Sequence, residues 1–365
     1  DANKIGAFAS LTHEPSEKWV LDAGLRYDRY DINATKFYLQ SRWEDLGYDE
    51  QFAAFEISEQ GNQIMTNPEF QYDLFAFTAG AKYLLDTHYD LAINLSSANR
   101  APNPSELFSD GLHHALATIE LGRLDLKKEQ SYKVNATFHG NEGDLDFEIN
   151  PYINFVNDFI QLVPTGLETT IRGAFPVFQY EQINARLYGI DLHATYDFWT
   201  KKTAEEMKTN PNEMIYKMEK LVRLETNFSY IHGTNSSNDL PLIDMPPLQF
   251  QNQVTWFNVL DSNIDFYVAN QTVLMQNRFP DFDYTVDIPN DQGMLETVLV
   301  EISEPPEAYS LWNAGVSYAF AKANTKVNLS SNNLFNTQYR NYLNRQRFYA
   351  DEVGRDIQLQ IIYNF

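Results

Sequence analysis

Along most of this chain, apolar and polar residues change places at every second position. The last stretch shows it most plainly. Ile357, Leu359, Ile361, Tyr363 and Phe365 alternate with Asp356, Gln358, Gln360 and Asn364, and Ile362 is the exception on the polar side. Period two puts the apolar set on one face of a strand and the polar set on the other. The same rhythm sets Leu21, Ala23, Leu25 and Tyr27 against Asp22, Gly24, Arg26 and Asp28. It sets Leu91, Ile93 and Leu95 against Ala92, Asn94 and Ser96, and Leu145, Phe147 and Ile149 against Asp146, Glu148 and Asn150. It predicts strands over 4–13, 19–39, 70–85, 88–97, 131–139, 144–163, 174–199, 221–232, 248–260, 264–276, 309–321 and 326–334, plus the terminal strand, about 13 in all. No repeat of fixed length accompanies them.

The connections alternate between short and long. Tight turns are expected at 14–17, 86–87, 140–143, 261–263 and 322–324, and long loops at 40–69, 99–128, 164–173, 233–247, 277–308 and 335–353. Transmembrane barrels have tight periplasmic turns and long extracellular loops, and a strand ending on a bare aromatic suits a closed, lipid-facing wall. The fold class read here is therefore all-β, a transmembrane antiparallel β-barrel. A soluble or cell-surface β-sandwich binding module is the alternative of another class, since its strands also alternate. Sandwich strands run about 5–6 residues, well short of the stretches 19–39 and 174–199. Single-chain bacterial barrels have an even strand number, so an odd count implies an N-terminal portion of the barrel that is absent from this sequence. A closed pore of reduced strand number is opposed by the same count. One periplasmic connection is long: in 200–220, Ala204, Met207, Met214 and Met218 among alternating Lys and Glu predict a short charged helix, interrupted at Asn210-Pro211-Asn212. It reads as a solvated insertion or as a docking surface for a periplasmic partner.

Bulk properties narrow the picture further. The chain has 365 residues, no Cys, 22 Tyr, 25 Phe and a net charge of −23. The charge argues against nucleic acid, which wants clustered Lys and Arg. Absent Cys excludes disulfides and thiolate sites and leaves the compartment open. No stretch of ~18 apolar residues predicts a membrane helix, and the mean hydropathy of −0.44 does not oppose a barrel, whose strands show lipid only alternate residues. Phosphate-loop, G-x-S-x-G and H-E-x-x-H motifs are missing, so no enzyme is expected.

Five motifs, in order along the chain, resemble TonB-dependent outer-membrane receptors of Gram-negative bacteria. They are Ala23-Gly24-Leu25-Arg26-Tyr27-Asp28; the "RAP…EL" segment Arg100-Ala101-Pro102-Asn103-Pro104-Ser105-Glu106-Leu107; Leu126-Lys127-Lys128-Glu129-Gln130-Ser131, with Lys128 in place of Pro; Tyr188-Gly189-Ile190-Asp191; and the "NLFNxxYR" segment Asn333 to Arg340. The terminal strand resembles the family's membrane-insertion signal, carried here by Gly354, Ile357, Leu359, Ile361, Tyr363 and Phe365. The resemblance implies the C-terminal part, residues 1–365, of a 22-stranded barrel around a plug, with the plug and first strands having no counterpart here. It implies TonB-driven import of a scarce ligand, a ferric siderophore or other iron complex first, haem next, and then cobalamin, glycan or peptide. Implied partners are outer-membrane lipid and lipopolysaccharide, the TonB–ExbB–ExbD complex through the absent plug, and a surface lipoprotein or a periplasmic partner at 200–220. No intrinsic cofactor is implied; the iron complex is cargo.

Candidate ligand residues lie in the long loops. His113 and His114 are adjacent on loop 99–128, and neutral imidazole ligates iron well. Haem receptors of the family carry a His between an "FRAP" and an "NPNL" box; here the first reads Asn99-Arg100-Ala101-Pro102 and the second is largely lost. The alternative is that both are polar loop residues. Arg100 and Glu106, with Arg123, are candidates for ligand polar groups or for loop-anchoring salt bridges. Asp281, Asp283, Asp287, Asn290 and Asp291 offer oxygen ligands, but without the Gly and Glu positions of an EF-hand. Loop 335–353 carries Tyr339, Arg340, Tyr342, Arg345, Arg347, Phe348 and Tyr349. Arg beside aromatics suits flat or anionic ligands, with Arg340, Tyr342 and Arg345 the candidates; charge pairing with the many carboxylates is the competing role. His139, His193 and His232 fall on predicted strands, where packing is the ordinary expectation.

Overall fold

The computed structural model describes the chain except residues 171–172, 208–209, 260–262, 290–293 and 321–323. Its main body is a single antiparallel meander of 13 strands. In chain order these are β1 (Ala2–Ser16), β2 (Trp19–Asn33), β3 (Glu69–Leu84), β4 (Tyr89–Arg100), β5 (Glu129–Glu142), β6 (Leu145–Thr170) and β7 (Gly173–Met207). They continue as β8 (Asn210–Asn235), β9 (Gln249–Trp256), β10 (Ile264–Val273), β11 (Tyr309–Phe320), β12 (Thr325–Asn332) and β13 (Asp356–Tyr363). Every strand pairs with its sequence neighbours, the pattern expected when short turns join consecutive strands.

Register fixes the faces. Leu25 lies opposite Ala9 and Phe77, and Ala79 lies opposite Leu95, which lies opposite Val134 and so on round the sheet. These residues form one continuous outer face. It is apolar and open: Leu25 is 64% exposed and Ile357 67%. For a soluble protein such a surface is an aggregation liability; for a barrel it is the lipid face. The inner face carries Asp22, Lys82 and Asp90, together with Glu225 opposite Gln253, Asn227 opposite Gln251 and Gln251 opposite Gln271. Bulky inner groups are accommodated by glycine: a Cβ on Gly6 would fall 2.0 Å from Asp28 Oδ1, one on Gly80 2.3 Å from Asp22 Oδ1, and one on Gly315 2.3 Å from the Tyr267 ring.

Aromatic pairs collect at the short-turn end of the wall: Trp19 with Tyr83, Tyr89 with Phe138, Trp199 with Trp256, Tyr318 with Phe320, Tyr363 with Phe365. This is the girdle of an interface, where a ring is half in lipid and half in water. The insertion-signal residues behave alike: Ile357, Leu359, Ile361 and Tyr363 all face outward on β13. Phe365 follows fully exposed, and Gly354 accommodates the Asn336 side chain, whose Oδ1 would sit 2.6 Å from a Cβ there.

Several expectations give way. The helix expected over 200–220 is strand: β7 and β8 run on as a hairpin, with Thr200 opposite Lys220 and Glu206 opposite Met214. The reason is legible after the fact, because Met214, Tyr216 and Met218 alternate with Lys217 and Glu219 as a strand requires, and pairing satisfies the backbone of both arms. The loop expected at 164–173 is also hairpin, β6 and β7 pairing out to Thr170 opposite Gly173 with bulges at Val156/Phe159 and Pro164/Gly166. The strand expected over 19–39 ends at Asn33. After a break it resumes as Lys36–Leu39, which joins the ribbon Glu56–Gln60 and Gln63–Thr66. The turns expected at 261–263 and 322–324 lie largely outside the described residues.

Candidate functional site

The long loops carry the molecule's buried clusters. Residues 40–69 fold around Trp43, fully buried, with Tyr38, Tyr48 and Ile64 packed on it. Loop 99–128 joins them: Leu124 completes that cluster, and its backbone N–H donates to Tyr48 Oη at 3.0 Å. Arg42 pairs with Asp110 and with Glu168, the latter at 2.7 Å, so one guanidinium ties three loops together. Lys36 Nζ donates to the Phe108 carbonyl.

The "RAP…EL" segment is built as an anchor. Pro104 opens the one-turn helix Pro104–Phe108, and Asn103 and Glu106 form a capping box. Glu106 Oε2 accepts from the Asn103 N–H at 2.8 Å and faces Arg100 Nη1 at 2.9 Å, while Arg100 Nε donates to Glu129 at 2.5 Å. Arg100 and Glu106 are thus occupied in fixing the loop to its strands. Arg123 is bonded in the same spirit to Asp125. The "NLFN" segment is likewise a turn. Asn333, buried at φ 48, receives the Thr337 N–H and donates to the Thr337 carbonyl, both at 2.8 Å, and Asn336 Oδ1 receives the Arg355 N–H.

His113 and His114 lie exposed at the tip of the ribbon Asp110–His113 and Thr118–Leu121. Among the described residues no group of three or more His, Asp or Glu is placed to hold a metal ion. The acidic loop residues serve turns instead: Asp283 Oδ1 receives the Ile302 and Ser303 N–H groups at 2.8 and 2.9 Å, Asp281 receives the Asp283 N–H, and Asp287 receives the Thr297 hydroxyl. Asn290 and Asp291 lie outside the described residues. His139 bridges Asp90 and Asp146 on the inner face, His193 contacts Asn227, and His232 stacks on Tyr188.

Five of the long connections converge on one cavity of about 220 Å³. It is lined by Thr118 from the first, Pro164 and Phe178 from the β6–β7 hairpin, Asp244 from 233–247, Phe282 and Ser303 from 277–308, and Tyr342 with Arg345, Arg347 and Phe348 from 335–353. The Thr118–Leu121 ribbon reaches it by pairing in parallel with β7 at Val177 to Gln179. Arg345 holds Glu120 at 3.0 Å and lies over the Phe178 ring. Arg347 is 8% exposed, sits between the Tyr342 and Phe348 rings at 4.8 and 4.4 Å, and donates through Nη1 to the Tyr342 carbonyl at 2.6 Å. Its Nε is buried and has no hydrogen-bond partner among the described residues. Asp244 is 3.9 Å from the far nitrogen, too long for a hydrogen bond. Burial pushes the Asp244 carboxyl up against the pull of both arginines, pushes the Tyr342 hydroxyl up to about 12, and pulls the Arg347 guanidinium down.

Of the candidates in the sequence, Tyr342 and Arg345 reach this cavity. Arg340 stays outside it, paired with Asp351 at 2.7 Å. Arg347 stood among the aromatics of its loop in sequence, and the structure buries it nearly as deeply as Tyr342. Asp244, Phe282 and Ser303 carried no signal; a lone Asp and a lone Ser in separate loops become neighbours through loop packing alone.

The meander, outer apolar face, girdle and loop-covered end define a class, the wall of a transmembrane β-barrel. The chain belongs to the TonB-dependent receptor family: the family model "TonB dependent receptor-like, beta-barrel" matches residues 1–349. Among curated proteins it is similar to the rhizobactin receptor of Rhizobium meliloti (strain 1021), 21% identical over 198 residues, which are 52% of this chain and 24% of that one. Among solved structures it resembles the copper transporter OprC, with TM-score 0.69 and 19% identity over 99% of this chain and 47% of that chain. It also resembles the siderophore receptor PirA from Acinetobacter baumannii, with TM-score 0.60 and 15% identity over 100% of this chain and 55% of that one. The chain therefore spans about half the length of the solved receptors, and a quarter of the curated relative.

Proposed function

We propose that this chain is the C-terminal portion of the barrel of an outer-membrane receptor that imports a ferric siderophore or a comparable iron complex, powered through TonB. The cavity carries the reading: five loops remote in sequence converge on one recess lined by aromatics, Arg345 and Arg347 at the long-loop end of the wall, where an external ligand arrives first. Arg and aromatic side chains in a partly dry site favour an anionic or flat ligand. A relative similar in sequence is named a rhizobactin receptor, and PirA, similar in fold, a siderophore receptor. Energy coupling belongs to a plug and to TonB–ExbB–ExbD. His113 and His114 are exposed at the tip of their ribbon and do not line this cavity.

The test is uptake by the full-length receptor in an iron-starved host lacking its own receptors. Radioiron presented as catecholate, hydroxamate and carboxylate chelates should enter with at least one of them, and only with TonB present. Copper, cobalamin and haem are run alongside. Transport of one of these, with no iron chelate carried, overturns the reading.

A further inference from the structure

In a chain with 50 acidic and 27 basic residues, an arginine should find a carboxylate. Nine of the twelve arginines among the described residues have one within 4.0 Å. Arg186 and Arg278 form no ion pair among the described residues, and the fold sets them close together. Register gives their place. Leu95 lies opposite Val134, Val134 opposite Ile153, Ile153 opposite Tyr188 and Tyr188 opposite His232, so His232 belongs to the outer face. Arg186 is the next outward residue of β7 beyond Tyr188, opposite Phe155, and it is exposed. Arg278, a few residues past β10, lays its Nη1 against the His232 ring, which stacks on Tyr188 at 4.5 Å. Like charges held together repel, and Arg186 makes no side-chain hydrogen bond among the described residues that would offset this.

The height of the pair says which anion meets it. Below Arg186 the outward row of β7 runs through Tyr188, Ile190, Leu192 and Ala194 to Tyr196 near the short-turn girdle. Those ten residues are about 33 Å of strand, and at a tilt of roughly 35–45° they climb about 25 Å, the full apolar band. Both cations therefore stand where acyl chains give way to headgroups in the outer leaflet.

We infer that Arg186 and Arg278, beside the Tyr188–His232 stack, bind a phosphate monoester on the headgroup of an outer-leaflet lipid, whose acyl chains lie along Ile190, Leu192 and Phe228. Two guanidiniums match a group that carries close to two negative charges, and their forks reach its oxygens from two directions. A carboxylate or a phosphodiester carries one charge only. The apolar row directly beneath the cations suits a phosphate with chains attached, where free phosphate would leave that row unused. The site belongs to the wall and does not depend on what the receptor imports.

The experiment uses the full-length receptor, stripped of lipid in detergent, with bound lipid counted by native mass spectrometry. It is titrated with diphosphoryl lipid A, the same lipid after phosphatase treatment, phosphatidylglycerol and inorganic phosphate. The diphosphoryl lipid binds, and loss of its phosphates weakens binding about tenfold or more, the scale of a charge-assisted contact. Phosphatidylglycerol, a diester, falls between the two. R186Q/R278Q loses the same factor and R186K/R278K keeps most of the affinity. R29Q, which alters an outward arginine already paired with Asp31, changes nothing. Equal binding of the two forms of lipid A overturns the inference in the wild-type receptor alone, so it needs no variant to fold. Unchanged binding in R186Q/R278Q, an equal loss in R29Q, or phosphatidylglycerol as tight as the diphosphoryl lipid also overturns it. Inorganic phosphate that displaces the lipid at equal concentration makes this a site for free phosphate and overturns the lipid source.

Discussion

The wall and the loop cap of this molecule obey different physics. In the wall, apolar side chains point away from the protein, and Leu25, Phe77, Leu95 and Ile357 are all left open. Lipid is their solvent, and stability comes from the hydrogen-bond ladder that joins each strand to its neighbours in sequence. In the cap, apolar side chains point inward as in a soluble domain: Trp43, Leu107, Leu124 and Leu242 are almost wholly buried. One chain thus holds an inside-out half and a right-side-out half, joined where each strand leaves the outer girdle. The same substitution should therefore have opposite consequences on the two sides of that line.

The largest effect is expected for a charge in the middle of the outer wall. Ile93 faces outward between Ala81 and Ala136. Ile93→Arg should cost about 2–4 kcal/mol at bilayer mid-depth, read as a lower midpoint of denaturant unfolding in lipid vesicles. On the inner neighbour Asn94, Asn94→Arg should cost much less, because that side is polar and wet. Equal costs at the two positions would mean that the faces are assigned wrongly.

The cap responds in the other sense. Trp43→Ala removes the centre of a packed cluster and should destabilise it by about 3–5 kcal/mol. Cap and wall are separate cooperative units on this account, so hydrogen exchange should rise in residues 36–66 and around Leu124 while the strands stay protected. Exchange rising across β2 to β4 as well would show that the wall leans on its cap. A milder version is Glu106→Ala, which removes the capping box and leaves Arg100 with Glu129 alone. Loss of a cap costs about 1 kcal/mol, and Arg100→Lys, keeping charge without the fork, should fall between the two in limited proteolysis of loop 99–128.

The contrast also explains what could be read from the sequence. Period two is imposed on the wall by lipid on one side and water on the other, so Ile357 to Phe365 announced their own orientation. Strand ends were harder, because strand pairing continues past both ends of the lipid-facing wall without that constraint; hence the hairpin arms at 164–173 and 200–220. Family motifs were legible as signatures while their work was not. Arg100, Glu106, Asn333 and Gly354 shape turns and fix loops. The cavity was half legible. Tyr342 and Arg345 stood out beside one another in one loop, but Asp244, Phe282 and Ser303 meet them only through contacts between loops, and such contacts leave no period in a sequence.

The smallest effect is a titration at the edge of that cavity. Asp283 holds the backbone of Ile302 and Ser303, the two residues that line the cavity beside Phe282. Partial burial pushes its carboxyl up, but the N–H groups of Ser303 and Ile302, with the Ser303 hydroxyl, outweigh that and hold it below the ordinary Asp value. A depressed folded value means that the contribution is fully present above the unfolded pKa, near 4 for Asp, and fades as the pH falls through the lower folded value. Loop 277–308 should therefore stay closed at neutral pH and loosen only in acid below about pH 4, seen as faster exchange of the Ile302 and Ser303 amides. Asp283→Asn keeps the oxygen that accepts both N–H groups but not its charge, and should show the loosened exchange already at neutral pH, with no change in the protected wall. An exchange rate at these two amides that ignores pH in the wild-type protein would remove Asp283 as the stitch that shapes this side of the cavity.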